Sequence, residues 1–109
     1  MTALELDHLI AKHEACGGRY LEFLRVPALS MGLYVLPAGG TDPQRPHSED
    51  ELYYVVSGRG RIQVGDEDRA VAAGTLLLVP AGVEHRFHEI LEQLTILVFF
   101  APAEKGTSA

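Results

Sequence analysis

The chain has 109 residues, 47% hydrophobic and 22% charged, which suits one domain with a buried core. Its formal charge of −6 argues against nucleic acid or an anionic membrane surface as a partner. The single cysteine, Cys16, excludes an internal disulfide and a cysteine-cluster zinc site, and it fits a reducing compartment.

The first twenty residues carry Glu5, Asp7, Lys12 and Glu14 and so do not form a signal peptide. The longest apolar run, Ile96 to Ala103, is eight residues and is too short to span a bilayer. A cytoplasmic protein is the expectation.

Thr2-Ala3-Leu4-Glu5 has capping-box spacing, and Leu6, Leu9, Ile10 and His13 follow at helical spacing. Gly17 is placed to end that helix. His8 and His13 lie in it with no partner nearby in sequence, so both are expected to be ordinary helix histidines. Cys16, at the helix end, is expected to be a half-buried thiol rather than a nucleophile.

After Gly18, runs of five to seven strand-forming residues alternate with Gly, Pro and Asp. Strands are expected near 19–25, 31–37, 44–47, 51–57, 60–64, 68–72, 75–79, 84–89 and 94–100. Gly58-Arg59-Gly60, Gly65-Asp66-Glu67-Asp68, Ala73-Gly74 and Pro80-Ala81-Gly82 are the expected reversals. Many short strands with no second helix indicate an all-β sandwich or barrel. The expected division is a helix and lead-in over 1–18, a barrel over 19–102 and a disordered tail over 103–109.

Leu94 to Phe100 and Leu76 to Val79 are apolar on both faces. A small antiparallel barrel buries only one face of each strand, so the other needs cover from the N-terminal helix or a second subunit. A homodimer is the expectation.

Two stretches carry the chemistry. Residues 39–58 contain His47 and, four residues later, Glu51, which opens the apolar run Leu52 to Val56 before Ser57-Gly58. A carboxylate leading into a buried strand is expensive unless a cation compensates it, and a metal ion shared with a histidine would do so. An exposed Glu at a hairpin mouth is equally compatible. Residues 74–89 run from Gly74 through a short apolar strand to Pro80-Ala81-Gly82, and His85 follows. By period-two alternation His85, Phe87 and Glu89 share one face, while Arg86 and His88 share the other. Beside an inward Phe, His85 alone could equally be a hydrogen-bonded core residue.

Taken together, the two stretches resemble the cupin family. The first cupin motif, G-x5-H-x-H-x3,4-E-x6-G, is matched by Gly39, Arg45, His47, Glu51 and Gly58. The second, G-x5-P-x-G-x2-H-x3-N, is matched by Gly74, Pro80, Gly82, His85 and Glu89. Two positions depart. Arg45 replaces the first histidine and cannot ligate a metal, and Glu89 replaces the final Asn.

The resemblance implies a cupin jelly-roll β-barrel with a short N-terminal helix. It implies that Ser48-Glu49-Asp50 turns between strands and that His47, Glu51 and His85 converge at the barrel mouth. Those three would hold a divalent metal ion, with Gln44 as a weaker candidate ligand. Iron, manganese, zinc and nickel all fit such a set. Arg45 would sit beside the metal, facing a substrate carboxylate or pairing with Glu49 or Asp42. Tyr53 shares parity with Glu51 and could donate into the cavity. Arg45 and Tyr53 are the catalytic candidates, and His88 has the parity of a rim residue. The function implied is a metal-dependent oxygenase, isomerase or decarboxylase acting on a small organic, carboxylate-type substrate. A non-catalytic metal- or ligand-binding or sensing barrel and a metal-free barrel are the alternatives.

Overall fold

A computed structural model describes residues 1–105. Helix α1 spans Leu6–Cys16, and six strands follow. They are β1 Tyr20–Val26, β2 Leu29–Leu36, β3 Asp50–Val64, β4 Glu67–Ala72, β5 Leu76–Val79 and β6 His85–Ala101. The ladders are antiparallel in the order β1-β2-β6-β3-β4, with β5 also paired to β3. The strands make the all-β jelly-roll barrel with its short N-terminal helix. No helix among the described residues is long and apolar enough to cross a membrane.

The helix starts later than the capping box suggests. Glu5 occupies the N-cap in an extended conformation and its side chain caps nothing; the helix begins at Leu6, where the inward side chains begin. Gly17 ends it as expected, at φ 72 with its N–H donating to His13 O. Cys16 is exposed rather than half-buried, and His8 is exposed too. His13 is buried, with Nε2 2.8 Å from Arg19 O.

The expected strand at 44–47 is irregular instead. Pro43 and Pro46 have no N–H to give a ladder, and Gln44 N–H turns to Asp42 Oδ1 at 3.3 Å. Ser48 and Glu49 form a bend into β3, not a turn between two strands.

Gly58-Arg59-Gly60 does not reverse the chain; β3 runs through it. Gly58 has φ 97, and a Cβ there would lie 2.1 Å from Gln93 O on β6. The glycine is needed for close strand approach at a bulge. The bulge changes which side chains point inward: Glu51, Tyr53 and Val55 are buried before it, Gly60 and Ile62 after it. Strand β6 joins the expected strands 84–89 and 94–100 in the same way. His85 and Phe87 point inward, Glu89 adopts φ 46 and is exposed, and Ile90, Leu94, Ile96, Val98 and Phe100 then point inward. Glu89 therefore leaves the face of His85 and Phe87, because it is itself the irregular residue.

The core lies between the walls of the barrel, built on Tyr34, Leu36, Tyr53, Ile62, Phe87, Leu94, Ile96, Val98 and Phe100. On the outer face α1 packs against β1 and β2, and Leu33 there is fully buried. Farther along, Leu52, Tyr54, Leu76 and Leu78 stay exposed. The end of the barrel also departs from expectation. Ala103 and Glu104 are buried, not frayed. Their backbone docks on the β1–β2 hairpin: Ala103 N–H donates to Pro27 O, Glu104 N–H to Ser30 Oγ, and Arg25 Nη2 to Glu104 O. The rest of the expected tail, 106–109, lies outside the described residues.

Candidate metal centre

Three side chains from separate segments meet inside the barrel mouth. His47 precedes β3, Glu51 is the second residue of β3 and His85 opens β6. One donor atom from each lies within 4.8 Å of the others. Glu51 Oε1 is 3.1 Å from His85 Nε2 and 3.8 Å from His47 Nε2. Local sequence explains each placement. The Pro80-Ala81-Gly82 turn is tied to the loop before β3 by Gly82 N–H donating to His47 O at 2.8 Å. Its Ala81 N–H donates to Asp50 Oδ1 at 2.9 Å. Strand pairing of Glu51 with Val79 and Phe100 seats the carboxylate under both loops.

The imidazoles are oriented by what their far nitrogens meet. His85 Nδ1 is 3.0 Å from Val83 O, a main-chain acceptor, so Nδ1 carries the proton and Nε2 presents its lone pair. His47 Nδ1 is 3.2 Å from Glu104 Oε2, a charge contact without an in-line hydrogen bond, and the nearby negative charge favours the same tautomer. The two Nε2 atoms face the same carboxylate oxygen.

Gln44 joins them as a fourth donor. Its Nε2 donates to Asp42 Oδ2 at 2.8 Å, and a carboxylate can only accept, so Oε1 points the other way. Oε1 lies 3.3 Å from His85 Nε2 and 3.4 Å from His47 Nε2. Tyr53 O–H donates to it at 2.9 Å. Asp42 is held in turn by Tyr34 O–H at 2.5 Å and Phe87 N–H at 2.9 Å.

With both imidazoles neutral, lone pairs thus face lone pairs. Glu51 is 1% exposed, yet neither of its oxygens has a hydrogen-bond partner among the described residues. The 3.1 Å approach of His85 is off the hydrogen-bonding line. A buried carboxylate without a hydrogen-bond partner, two imidazole nitrogens and an amide oxygen that accepts from Tyr53 gather here, an arrangement that suits a cation. The spacing fits as well. With bonds of about 2.1 Å, neighbouring ligands sit about 3.0 Å apart in an octahedral shell and about 3.4 Å apart in a tetrahedral one. Four of the contacts run from 3.1 to 3.8 Å, and the donors of His47, Glu51 and His85 all lie within 4.8 Å of one another.

Electrostatics follow from the same geometry. Burial pulls the basicity of both histidines down, but the carboxylates outweigh it, so both titrate above the ordinary imidazole value. The leading carboxylate is Glu104 for His47 and Glu51 for His85. Burial, reinforced by Glu51, pushes the Tyr53 phenol far upward, so it remains a donor.

The other expectations sort themselves around this centre. Tyr53 touches it through Gln44. Arg45 does not: it is exposed and makes no ion pair with Glu49 or Asp42 among the described residues. Asp42 is fully engaged elsewhere, and Glu49 accepts from Ser48 Oγ. Arg45 instead lines a cleft of about 330 Å³ that opens onto Gln44 and His85, together with Arg86, Gln63 and Glu84. His88 is off the site, 2.7 Å from Asp68 Oδ2. Sequence reasoning offered Asp42 to Arg45, whereas it holds Gln44, Tyr34 and Phe87 N–H, and it missed Glu104. Asp42-Pro43-Gln44 carries an Asx-turn signal for Asp42, whereas nothing local marks Glu104.

A jelly-roll barrel with two imidazoles and a carboxylate at its mouth defines the cupin class. Residues 32–100 match the cupin domain family, and the chain belongs to it. It is 54% identical over 104 residues to an uncharacterised protein of Streptomyces coelicolor, covering 95% of this chain and 99% of that one. It is 29% identical over 89 residues to acireductone dioxygenase 2 of Arabidopsis thaliana, covering 76% of this chain but 46% of the other, less than half its length. Among solved structures, TT1209 of Thermus thermophilus is similar with a TM-score of 0.73 and 25% identity, covering 94% and 99% of the two chains. KdgF of a Halomonas species superposes with a TM-score of 0.69 at 19% identity, covering 76% of each chain.

Proposed function

We propose that this cupin is a metal-dependent enzyme acting on a small organic anion at the barrel mouth. His47, Glu51 and His85 hold a divalent ion, and the Gln44 amide oxygen is the fourth donor. The observation that carries this is the paired orientation of the imidazoles. His85 Nδ1 meets Val83 O, His47 Nδ1 lies 3.2 Å from the Glu104 carboxylate, and both Nε2 atoms face a buried Glu51 carboxylate without a hydrogen-bond donor. A bound ion supplies Lewis acidity, and open coordination positions for a substrate oxygen, water or O2.

The chain's own residues do the rest. Arg45 and Arg86 are exposed and flank the cleft with their guanidinium groups, which suits capture of a carboxylate. Tyr53 stays protonated and holds the Gln44 oxygen in place. The buried walls of Phe87 and Phe100 keep bulk water from the floor of the site. Dioxygenases among the relatives favour an oxygen-using reaction as the first to assay. Elemental analysis of protein purified without chelator tests the metal. Oxygen uptake and turnover against a panel of small carboxylates then test the chemistry. Metal content unchanged in both His47→Ala and His85→Ala would refute the ligand assignment. Metal bound without turnover of any compound would favour a sensing barrel.

Two copies associate, in this reading, through the open outer face. Leu52 pairs with Leu78 and Tyr54 with Leu76, which makes one contiguous exposed apolar patch. A single sedimenting species near 11.9 kDa at micromolar concentration would overturn the dimer. A cytoplasmic location fits the lone cysteine.

A further inference from the structure

Glu104 is a carboxylate that the barrel has no packing reason to bury. It is 2% exposed. Its backbone anchors, to Ser30 and Arg25, use main-chain atoms and would survive without the side chain. The Arg25 guanidinium is shared between Glu22 and the Glu104 carbonyl rather than the Glu104 carboxylate. Among the described residues the side chain's ion-pair contact is with His47 Nδ1, at 3.2 Å.

The His47 ring lies between two carboxylates. Glu104 Oε2 is 3.2 Å from Nδ1, and Glu51 Oε1 is 3.8 Å from Nε2. Glu104 Oε2 has no in-line hydrogen-bond partner among the described residues, so the contact is one of charge. A buried carboxylate 3.2 Å from Nδ1 favours the proton there, against the neutral Gln44 oxygen 3.4 Å from Nε2 and the Glu51 oxygen at 3.8 Å. The ring itself is packed edge-on against Phe100, with centroids 4.9 Å apart, which restrains it from turning over. Without Glu104, the acceptors left are Glu51 Oε1 and Gln44 Oε1, both on the Nε2 side. The proton would move to Nε2 and close that position to a metal. His85 needs no such help, because a main-chain carbonyl holds its Nδ1 proton.

We propose that Glu104 is a positioning residue of the site: delivered by the C-terminal segment, its carboxylate holds the His47 proton on Nδ1 and keeps Nε2 open toward Glu51, Gln44 and His85. This rests on the metal-site reading for its consequence, but not for its geometry. A metal-ligating histidine whose other nitrogen is fixed by a carboxylate binds about 10–100-fold more tightly than one without it.

The test compares the full chain with Glu104→Gln, Glu104→Met and Glu104→Ala. The first readout needs no metal. Long-range proton–nitrogen spectra of the imidazoles, followed upward in pH from about 9 until the ring signals stop shifting, report the tautomer of the neutral rings. Wild type is expected as Nδ1–H at His47, with Gln retaining it through its carbonyl oxygen. Met and Ala are expected to shift His47 to Nε2–H while His85 stays unchanged. The second readout is Co(II) affinity by chelator competition. Met and Ala are expected to lose about 10–100-fold, and Gln no more than about fivefold. An unchanged His47 tautomer in whichever of the Met and Ala variants folds would overturn the proposal. Failure of wild type to bind Co(II) would instead sink the metal reading, and the tautomer would still decide the role of Glu104.

Discussion

Replacing Glu51 with Gln should make the metal-free protein more stable and the metal-loaded protein less so. In the metal-free barrel at alkaline pH, Glu51 is a buried carboxylate without a hydrogen-bond donor, facing the lone pairs of Gln44, His47 and His85. An unsatisfied buried polar group costs about 1–3 kcal/mol, and a charged one more. A Gln at 51 is uncharged and supplies two N–H donors to those acceptors. The metal-free variant should therefore gain about 1–3 kcal/mol, raising Tm by roughly 4–10 °C for a domain of this length. Metal reverses the order. At a hundredfold excess over Kd, wild type gains about 2.7 kcal/mol, and the variant, short of its anionic ligand, gains little.

The pH dependence has a definite sign. His47 and His85 have folded pKa values above the unfolded imidazole value. Their protonation therefore stabilises wild type fully below about pH 6.5 and is lost as pH rises through the raised values. The advantage of the Gln variant is greatest on the alkaline side, and it shrinks or inverts in acid, where imidazolium pairs with Glu51. Thermal unfolding of both proteins in chelator and in Zn(II), at acid and alkaline pH, measures all of this. A metal-free Gln variant less stable than wild type at about pH 9 by more than about 1 kcal/mol would refute the reasoning. So would an undiminished response to Zn(II).

Three further outcomes follow from particular contacts. Gln44→His should strengthen Zn(II) or Ni(II) binding by about tenfold or more, because imidazole suits these ions better than an amide oxygen. Arg45→His, on the exposed rim, should leave affinity unchanged; equal gains in the two would show that position 45, too, reaches the metal. Gly58→Ala puts a Cβ 2.1 Å from Gln93 O, at a positive φ, and should destabilise the fold by about 3 kcal/mol or more in urea unfolding. Glu89→Asn, at φ 46, should stabilise by about 0.5–1 kcal/mol in the same assay, since Asn tolerates that backbone region better than Glu.

The trio of His47, Glu51 and His85 was legible because motif spacing encodes the loop and strand geometry that brings them together. The first-histidine position was harder. Counting residues places Arg45 there, whereas the segment is an irregular loop that turns Gln44 inward. That choice is made by Asp42, whose own position depends on Tyr34 and on Phe87 N–H far along the chain. Glu104 was unreadable for a related reason. A small polar tail looks the same whether or not Pro27, Ser30 and Arg25 offer it backbone partners. The Asn of the second motif gains a physical meaning from the structure: that position lies in the left-handed region, where Asn is favoured. Gly58 and Gly60 misled because a bulge and a reversal share one local signature, and only the approach of Gln93 separates them.

That bulge is also what makes the site. His85 pairs with Val64 at one end of β3, and Glu51 lies at the other end of the same strand. Their separation along a straight strand would be about 43 Å. Yet His85 Nε2 and Glu51 Oε1 are 3.1 Å apart. The ladder must curl back on itself, and it does so where register slips between Val55 and Arg61, opposite the irregular Glu89. The same slips reset which residues face inward, so Glu51 and Ile62 of β3, and His85 and Phe100 of β6, all reach the interior. Stiffening the corner therefore does more than strain the fold. It moves the two histidines and the carboxylate apart, and a Gly58 variant that still folds should lose metal affinity while keeping every ligand.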